Sequence, residues 1–338
     1  MRPALNAAIA PTLKAAGVLL AVLYTISLGG CGCGFDCGDD DDDRPLSTAL
    51  TLGFSDEALD ELKQVVLEVD RITLVGDGTP DVVVDTFTVP ELGVTDADSV
   101  QLDLLDYRGR RQLLVVAELE INTGVYSAIN ISLLDGDINL SYVQESDDTL
   151  RPLFQPAGGI ALPGFALENS TEAYTVEFGL ALALRYRAAS EDYLMSSDGI
   201  RVLDTDSSAS VSGRVASSLF DTVDPCDGKA DPEAGNRIYI YRGHALVGTL
   251  ADVHTGDSGS AIPTDAIAPV AVAALLENAL VGSWEYSAGF LEPGDYTLVF
   301  GCSSADDDPV EYDGISLPLP DNQRYEISLG TGEQGVCD

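Results

Sequence analysis

Ser258 lies in the run His254-Thr255-Gly256-Asp257-Ser258-Gly259-Ser260, where a hydroxyl flanked by glycines could serve as a nucleophile. That chemistry needs a histidine within hydrogen-bond reach and a carboxylate that orients its ring. His244 and His254 are the two histidines of the chain, and both stand just upstream. The run therefore reads as a flexible Gly/Ser/Asp loop. Carboxylates are the next candidates: Asp224, Asp227, Asp231 and Glu233 crowd one stretch, and Asp306, Asp307 and Asp308 another. Neither has EF-hand spacing. Glycoside hydrolysis would use two carboxylates at a set separation, but among 56 acidic residues no pair stands out. Trp284 and Tyr286 could form a sugar platform, although the alternation in Ser283-Trp284-Glu285-Tyr286-Ser287 points to core or edge packing. The six cysteines show no zinc spacing.

Charge narrows the function classes. Seventeen basic against 56 acidic residues give a formal net charge of −39 in 338 residues. Such a chain is repelled by nucleic acid and by anionic lipid surfaces. Hydrophobic residues make up 45% of it, enough for packed cores, and its length suits two domains.

The N-terminus sets the address. Arg2 and Lys14 precede an apolar run from Ala15 to Leu28, followed by Leu28-Gly29-Gly30-Cys31. A basic start and a short apolar stretch make an export signal rather than a spanning helix. The last four residues resemble the lipobox of bacterial lipoproteins: an aliphatic residue, two small ones, and the cysteine that receives lipid. The resemblance implies cleavage before Cys31, lipidation of Cys31 and, with Gly32 following, sorting to the outer membrane of a Gram-negative cell. Residues 31–45 then form a Gly/Asp-rich tether. Its block Asp39 to Asp43 repels itself and reads as a solvated spacer rather than a calcium site.

From Thr48 onward the pattern is β. A turn is expected at 56–62 and a strand at 64–75, where Val65, Leu67 and Val69 alternate. Further strands are expected at 81–88, 100–104, 112–116, 125–134, 138–144, 173–185 and 200–203. In the second half they fall at 210–216, 236–242, 270–276, 283–288, 295–301 and 324–329. Turn residues separate them, among them Asn122-Thr123-Gly124 and Pro163-Gly164. Ile267 to Leu280 could instead hold a helical turn. Many short strands at this spacing suggest sandwiches. One pattern recurs, G-x-Y-[ST]-x-[IV], at Gly124 to Ile129 and at Gly294 to Val299. In each a glycine turn would launch a strand and an aromatic would pack at its start.

The segment STALTLGFSDEALDELKQVVLEVDRITLV, with VQLDLLDYRG, LEINTGVYSAINISL, GIALPGFALENSTEAYTVEFGLALAL and DGIRVLD after it, resembles the bacterial domain of unknown function 4382 family over roughly 46–205. Ser55-Asp56-Glu57-Ala58 departs from the family's small-residue and proline turn. The family implies an exported β-sandwich with no known chemistry. SGRV, NRIYIYRG and GSWEYSAGFLEPGDYTLVFGC resemble the carboxypeptidase-regulatory or prealbumin-like sandwich, an accessory or adhesive module. That layout places Cys226 in the loop after its first strand and Cys302 at the end of the strand carrying Tyr296, so a Cys226–Cys302 disulfide is implied, with Cys337 able to compete for either partner. Such a bridge would draw Asp224, Asp227, Asp306 and Asp307 together, where they could hold a calcium ion or remain solvated acidic loops.

These readings define an all-β chain: signal peptide 1–30, tether 31–45, and two β-sandwich domains, 46–208 and 209–338. The expected role is a non-catalytic, lipid-anchored cell-envelope protein that binds an unidentified protein or glycan or serves structurally. It needs no cofactor beyond the calcium considered above. The alternative is an envelope hydrolase using carboxylates, glycosidase-like and calcium-dependent.

Overall fold

A computed structural model describes residues 46–338 apart from Ala58, Asp60, Glu61, Asp224, Pro225, Gly256, Asp257, Ser260, Asp306 and Asp338. Arg44–Asp338 is one compact unit, and it is all-β. Cys31 and the tether lie outside the described residues.

The first half supplies β1 (Ser47–Asp56), β2 (Leu62–Asp77), β3 (Leu113–Asn122), β4 (Gly124–Leu133), β5 (Tyr142–Glu145) and β6 (Leu150–Phe154). It continues with β7 (Ile160–Leu167), β8 (Thr171–Phe178), β9 (Leu184–Arg187), β10 (Asp192–Met195) and β11 (Ile200–Asp204). One sheet runs β11-β8-β1-β3, and a second runs β7-β4-β2-β5-β6-β10-β9. Their inner faces meet in one core that includes Leu52, Phe54, Leu67, Ile131 and Phe178. Strand β2 shows how the sequence sets the face. Val65, Leu67 and Val69 are buried, then Ile72 and Leu74, so the inward residues change from odd to even numbers. A register shift between Val69 and Arg71 absorbs the extra residue, as a bulge does.

The second half supplies β12 (Ala209–Val215), β13 (Arg237–Arg242), β14 (Ala271–Ala274), β15 (Leu276–Asn278) and β16 (Ser283–Leu291). β17 (Gly294–Gly301), β18 (Arg324–Leu329) and β19 (Gln334–Val336) complete it. The third sheet runs β15-β16-β12-β19 and the fourth β14-β13-β17-β18. Among the described strands no pairing joins the first two sheets to the last two.

Three strands of the fourth sheet, β14, β13 and β17, are buried on both faces, whereas β18 is largely exposed. In Arg237–Arg242, Ile238 and Ile240 enter the second core, while Tyr239 and Tyr241 belong to the first. Leu298 and Phe300 on β17 face the second core and Val299 the first; on β14, Ala271 and Ala273 face the second and Val272 the first. Two-residue alternation of two apolar types thus encodes a sheet sandwiched between cores.

Some local expectations shift. Pro163-Gly164 is not a turn but the middle of β7. β7 is terminal in its sheet, so the missing proline N–H is tolerated. Asn122-Thr123-Gly124 does separate two strands as expected, and the chain crosses there between sheets, since β3 joins β1 whereas β4 joins β2 and β7. The segment 173–185 breaks at a helical turn, Leu180–Ala183. Ile267 to Leu280 carries strands β14 and β15.

Candidate functional site

The repeated G-x-Y pattern builds the same corner twice. Gly124 has φ +145° and Gly294 has φ +155°, a conformation that disfavours any side chain. Two residues on, the Tyr126 hydroxyl donates to the Asn122 carbonyl at 3.0 Å and the Tyr296 hydroxyl to the Glu292 carbonyl at 2.5 Å. Each hydroxyl reaches back four residues and pins the chain as it enters the strand, the arrangement of a tyrosine corner. Only the second has an added donor, Arg242 Nη1 at 2.8 Å from the Tyr296 oxygen.

The nucleophile-like loop is structural where it is described. Ser258–Gly259 pairs in parallel with Glu311–Tyr312. The His254 ring lies edge-on to Tyr312, with Nδ1 3.1 Å from the Asp252 carbonyl oxygen. His244 Nε2 is 3.0 Å from the Ile327 carbonyl oxygen. Trp284 packs edge-on against Phe220, and the buried Tyr286 donates to the Cys337 carbonyl at 2.8 Å.

The Cys226–Cys302 disulfide is formed, with 5.8 Å between the Cα atoms, and Cys337 is buried outside it. Of the four calcium candidates, Asp224 and Asp306 lie outside the described residues, and Asp227 is exposed. Asp307 is buried and accepts from the Tyr239 hydroxyl at 2.6 Å and the Val253 amide at 3.4 Å. Burial pushes its carboxyl up to about 6, partly offset by the Tyr239 bond and by Arg237. Among the described residues no three His, Cys, Asp or Glu side chains come together in a metal-binding group.

A cluster missed from the sequence lies where β1, β8 and β11 approach β14. Asp56 and Glu177 are 0% exposed and Glu57 2%. Arg201 Nη2 donates to Glu57 Oε1 at 2.5 Å, and Glu57 Oε2 accepts from the Val272 amide at 3.2 Å. Among the described residues no donor meets the geometry of a hydrogen bond to the Asp56 or Glu177 carboxylate, although the Ser55 hydroxyl lies close enough to Glu177 to favour its charged form. Burial first, then the Glu177 and Glu57 charges, hold the Asp56 carboxyl well above the usual range, with Arg108 pulling it back. Glu177 is raised likewise by burial and Glu57, against Arg201. The signal was present: a glutamate inside Ala173-Tyr174-Thr175-Val176-Glu177-Phe178 interrupts an apolar strand. Beside the cluster is a cavity of about 50 Å³ lined by Glu57, Arg201, His254, Val253 and Val272, room for a few waters.

A larger, open groove of about 610 Å³ runs over the outer face of the third sheet, past Ser212, Arg214, Glu277, Asn278 and Glu285. Arg214 Nε stands 3.4 Å from Glu285 Oε1, and Leu280 and Val281 project at the hairpin tip, 97% and 66% exposed.

Comparison with known proteins finds a family match in the first half. Residues 47–197 match the family described as Domain of unknown function (DUF4382). No curated protein is significantly similar to the chain. Among solved structures, a proposed cell adhesion protein from Bacteroides fragilis aligns at 10% identity over 86% of this chain and 91% of that one, with a TM-score of 0.21. A proposed adhesin from Bacteroides ovatus aligns at 10% identity over 91% of this chain and 98% of that one, with a TM-score of 0.15. Among the described residues no helix is long and apolar enough to cross a membrane.

Proposed function

We propose that this is a lipid-anchored cell-envelope protein, sorted to an outer membrane, whose role is binding or structural rather than catalytic. The observation that carries the reading is Leu28-Gly29-Gly30-Cys31 at the end of a short apolar run, followed by an acidic spacer ahead of β1. Two further features support it. Three of the groups weighed for chemistry serve the fold: both histidines meet backbone carbonyls, and Asp307 accepts from Tyr239 and Val253. The open groove beside Arg214 and Leu280 offers mixed polar and apolar surface to a protein or glycan, as binding sites do. In this reading residues 46–208 and 209–338 are two sandwiches, the second of the carboxypeptidase-regulatory or prealbumin-like kind, presented at the end of the tether.

The anchor is tested by expressing the chain and its Cys31→Ser variant in a Gram-negative host fed radiolabelled palmitate. The reading predicts label on the wild-type protein in the outer-membrane fraction and none on Cys31→Ser. Equal labelling of the variant, or an unlabelled wild-type chain, contradicts it.

A further inference from the structure

Strand β14 ends its sheet, bonded to β13 on one side only. On its other side the Val270 carbonyl and the Val272 amide flank Ala271. A parallel neighbouring strand would set one residue opposite Ala271, donating its N–H to the Val270 carbonyl and accepting from the Val272 amide. No strand is there. Instead Arg201 Nη1 donates to the Val270 carbonyl and Glu57 Oε2 accepts from the Val272 amide, at 2.5 and 3.2 Å. The two side chains are joined to each other through Arg201 Nη2 and Glu57 Oε1. An ion pair from β11 and the end of β1 therefore supplies the donor and acceptor of one absent strand residue. Open sheet edges invite unwanted pairing, and this one is closed by side chains from the other half of the molecule.

We propose that the Glu57–Arg201 pair is a stand-in strand residue that seals the β14 edge and locks the two halves together, and that the buried carboxyls Asp56 and Glu177 make this lock loosen as pH rises. The groups facing the lock come from every element around it. Asp56 and Glu57 come from β1 and its end, Glu177 from β8 and Arg201 from β11. Arg108 and Asp103 come from the segment before β3, Tyr296 from β17 and His254 from the loop lining the cavity. Burial disfavours the charge on Asp56 and Glu177 and so raises the hold of both carboxyls on a proton in the fold. Their folded values are raised, so their contribution is full below the unfolded value of about 4 and is lost as pH climbs through the folded value. An ionised Glu177 then competes with Glu57 for Arg201.

The test is hydrogen exchange at the Val272 amide in the full chain held in detergent, corrected for the intrinsic pH dependence of exchange, with the Ile131 amide of β4 as control. Glu57→Ala should lower Val272 protection about tenfold or more, the loss of one charge-assisted bond, and leave Ile131 unchanged. Glu57→Gln keeps an acceptor and should fall between, which preserves the test if the alanine variant does not fold. Wild-type Val272 should lose protection as pH rises above the ordinary carboxylate range of about 4, and Glu177→Gln should be flat over the same rise. Unchanged protection in both Glu57 variants overturns the seal. The same pH response in Glu177→Gln as in wild type overturns the proton linkage.

Discussion

The sheets between Ser47 and Asp204 close over their core without a cysteine, whereas those between Ala209 and Val336 carry the Cys226–Cys302 bridge and lay one sheet against the other half's core. The difference follows from size and connection. The first half has long strands and draws Leu, Val, Ile and Phe from two broad sheets. The second has shorter strands joined by polar stretches such as 243–266, and its own core is smaller, with alanines at Ala209, Ala271, Ala273 and Ala288. A small core is marginal alone. Here it is supplemented covalently, and by Tyr239, Tyr241 and Val272 reaching into the neighbouring core.

Removing the bridge should mark that contrast most strongly. Cys226→Ala with Cys302→Ala is expected to cost about 2–4 kcal/mol in denaturant unfolding, since the bridge spans 76 residues of sequence. A cost near zero would mean that the second half holds together without its staple.

Asp307 gives a smaller effect of opposite sign. It is buried beneath the second half's loops with its carboxyl raised to about 6 by burial. A raised folded value makes its contribution full below about pH 4 and lost as pH rises through about 6. Asp307→Asn keeps an acceptor for Tyr239 and should therefore raise stability by about 2 kcal/mol at about pH 8, with no gain below about pH 4. A loss at pH 8 would show that the ionised carboxylate is a net support of the loops, through Tyr239 and Arg237.

The two tyrosine corners compare the halves at one matched position. Tyr126→Phe and Tyr296→Phe should each cost about 1 kcal/mol in thermal or urea unfolding. Tyr296→Phe should cost more, because Arg242 Nη1 also loses its acceptor. A larger loss at Tyr126 would reverse the ranking.

Much of this architecture was legible in two-residue alternation, which marks strands wherever one face is buried. It served for β2, β4, β13 and β17. The turn residues Pro163-Gly164 misled, because sequence does not reveal that β7 is an edge. The G-x-Y repeat was visible as a pattern, but its hydrogen bonds to Asn122 and Glu292 depend on backbone that only the fold supplies. The Cys226–Cys302 pairing came from the module's layout. Of the acid cluster only Glu177, interrupting an apolar strand, left a trace: Ser55-Asp56-Glu57 reads as a turn, and only the parallel pairing of β1 with β8 brings Glu177 beside it. In a chain this acidic, a buried carboxylate looks like any other.

The central claim is that strands β13, β14 and β17 of the fourth sheet, buried on both faces and sealed at the β14 edge by Glu57 and Arg201, make the two halves one cooperative unit. Differential scanning calorimetry of the purified chain tests it most directly. The account predicts a single transition whose calorimetric and van't Hoff enthalpies agree. Two resolved transitions, one of them moving alone when the disulfide is reduced, would contradict it.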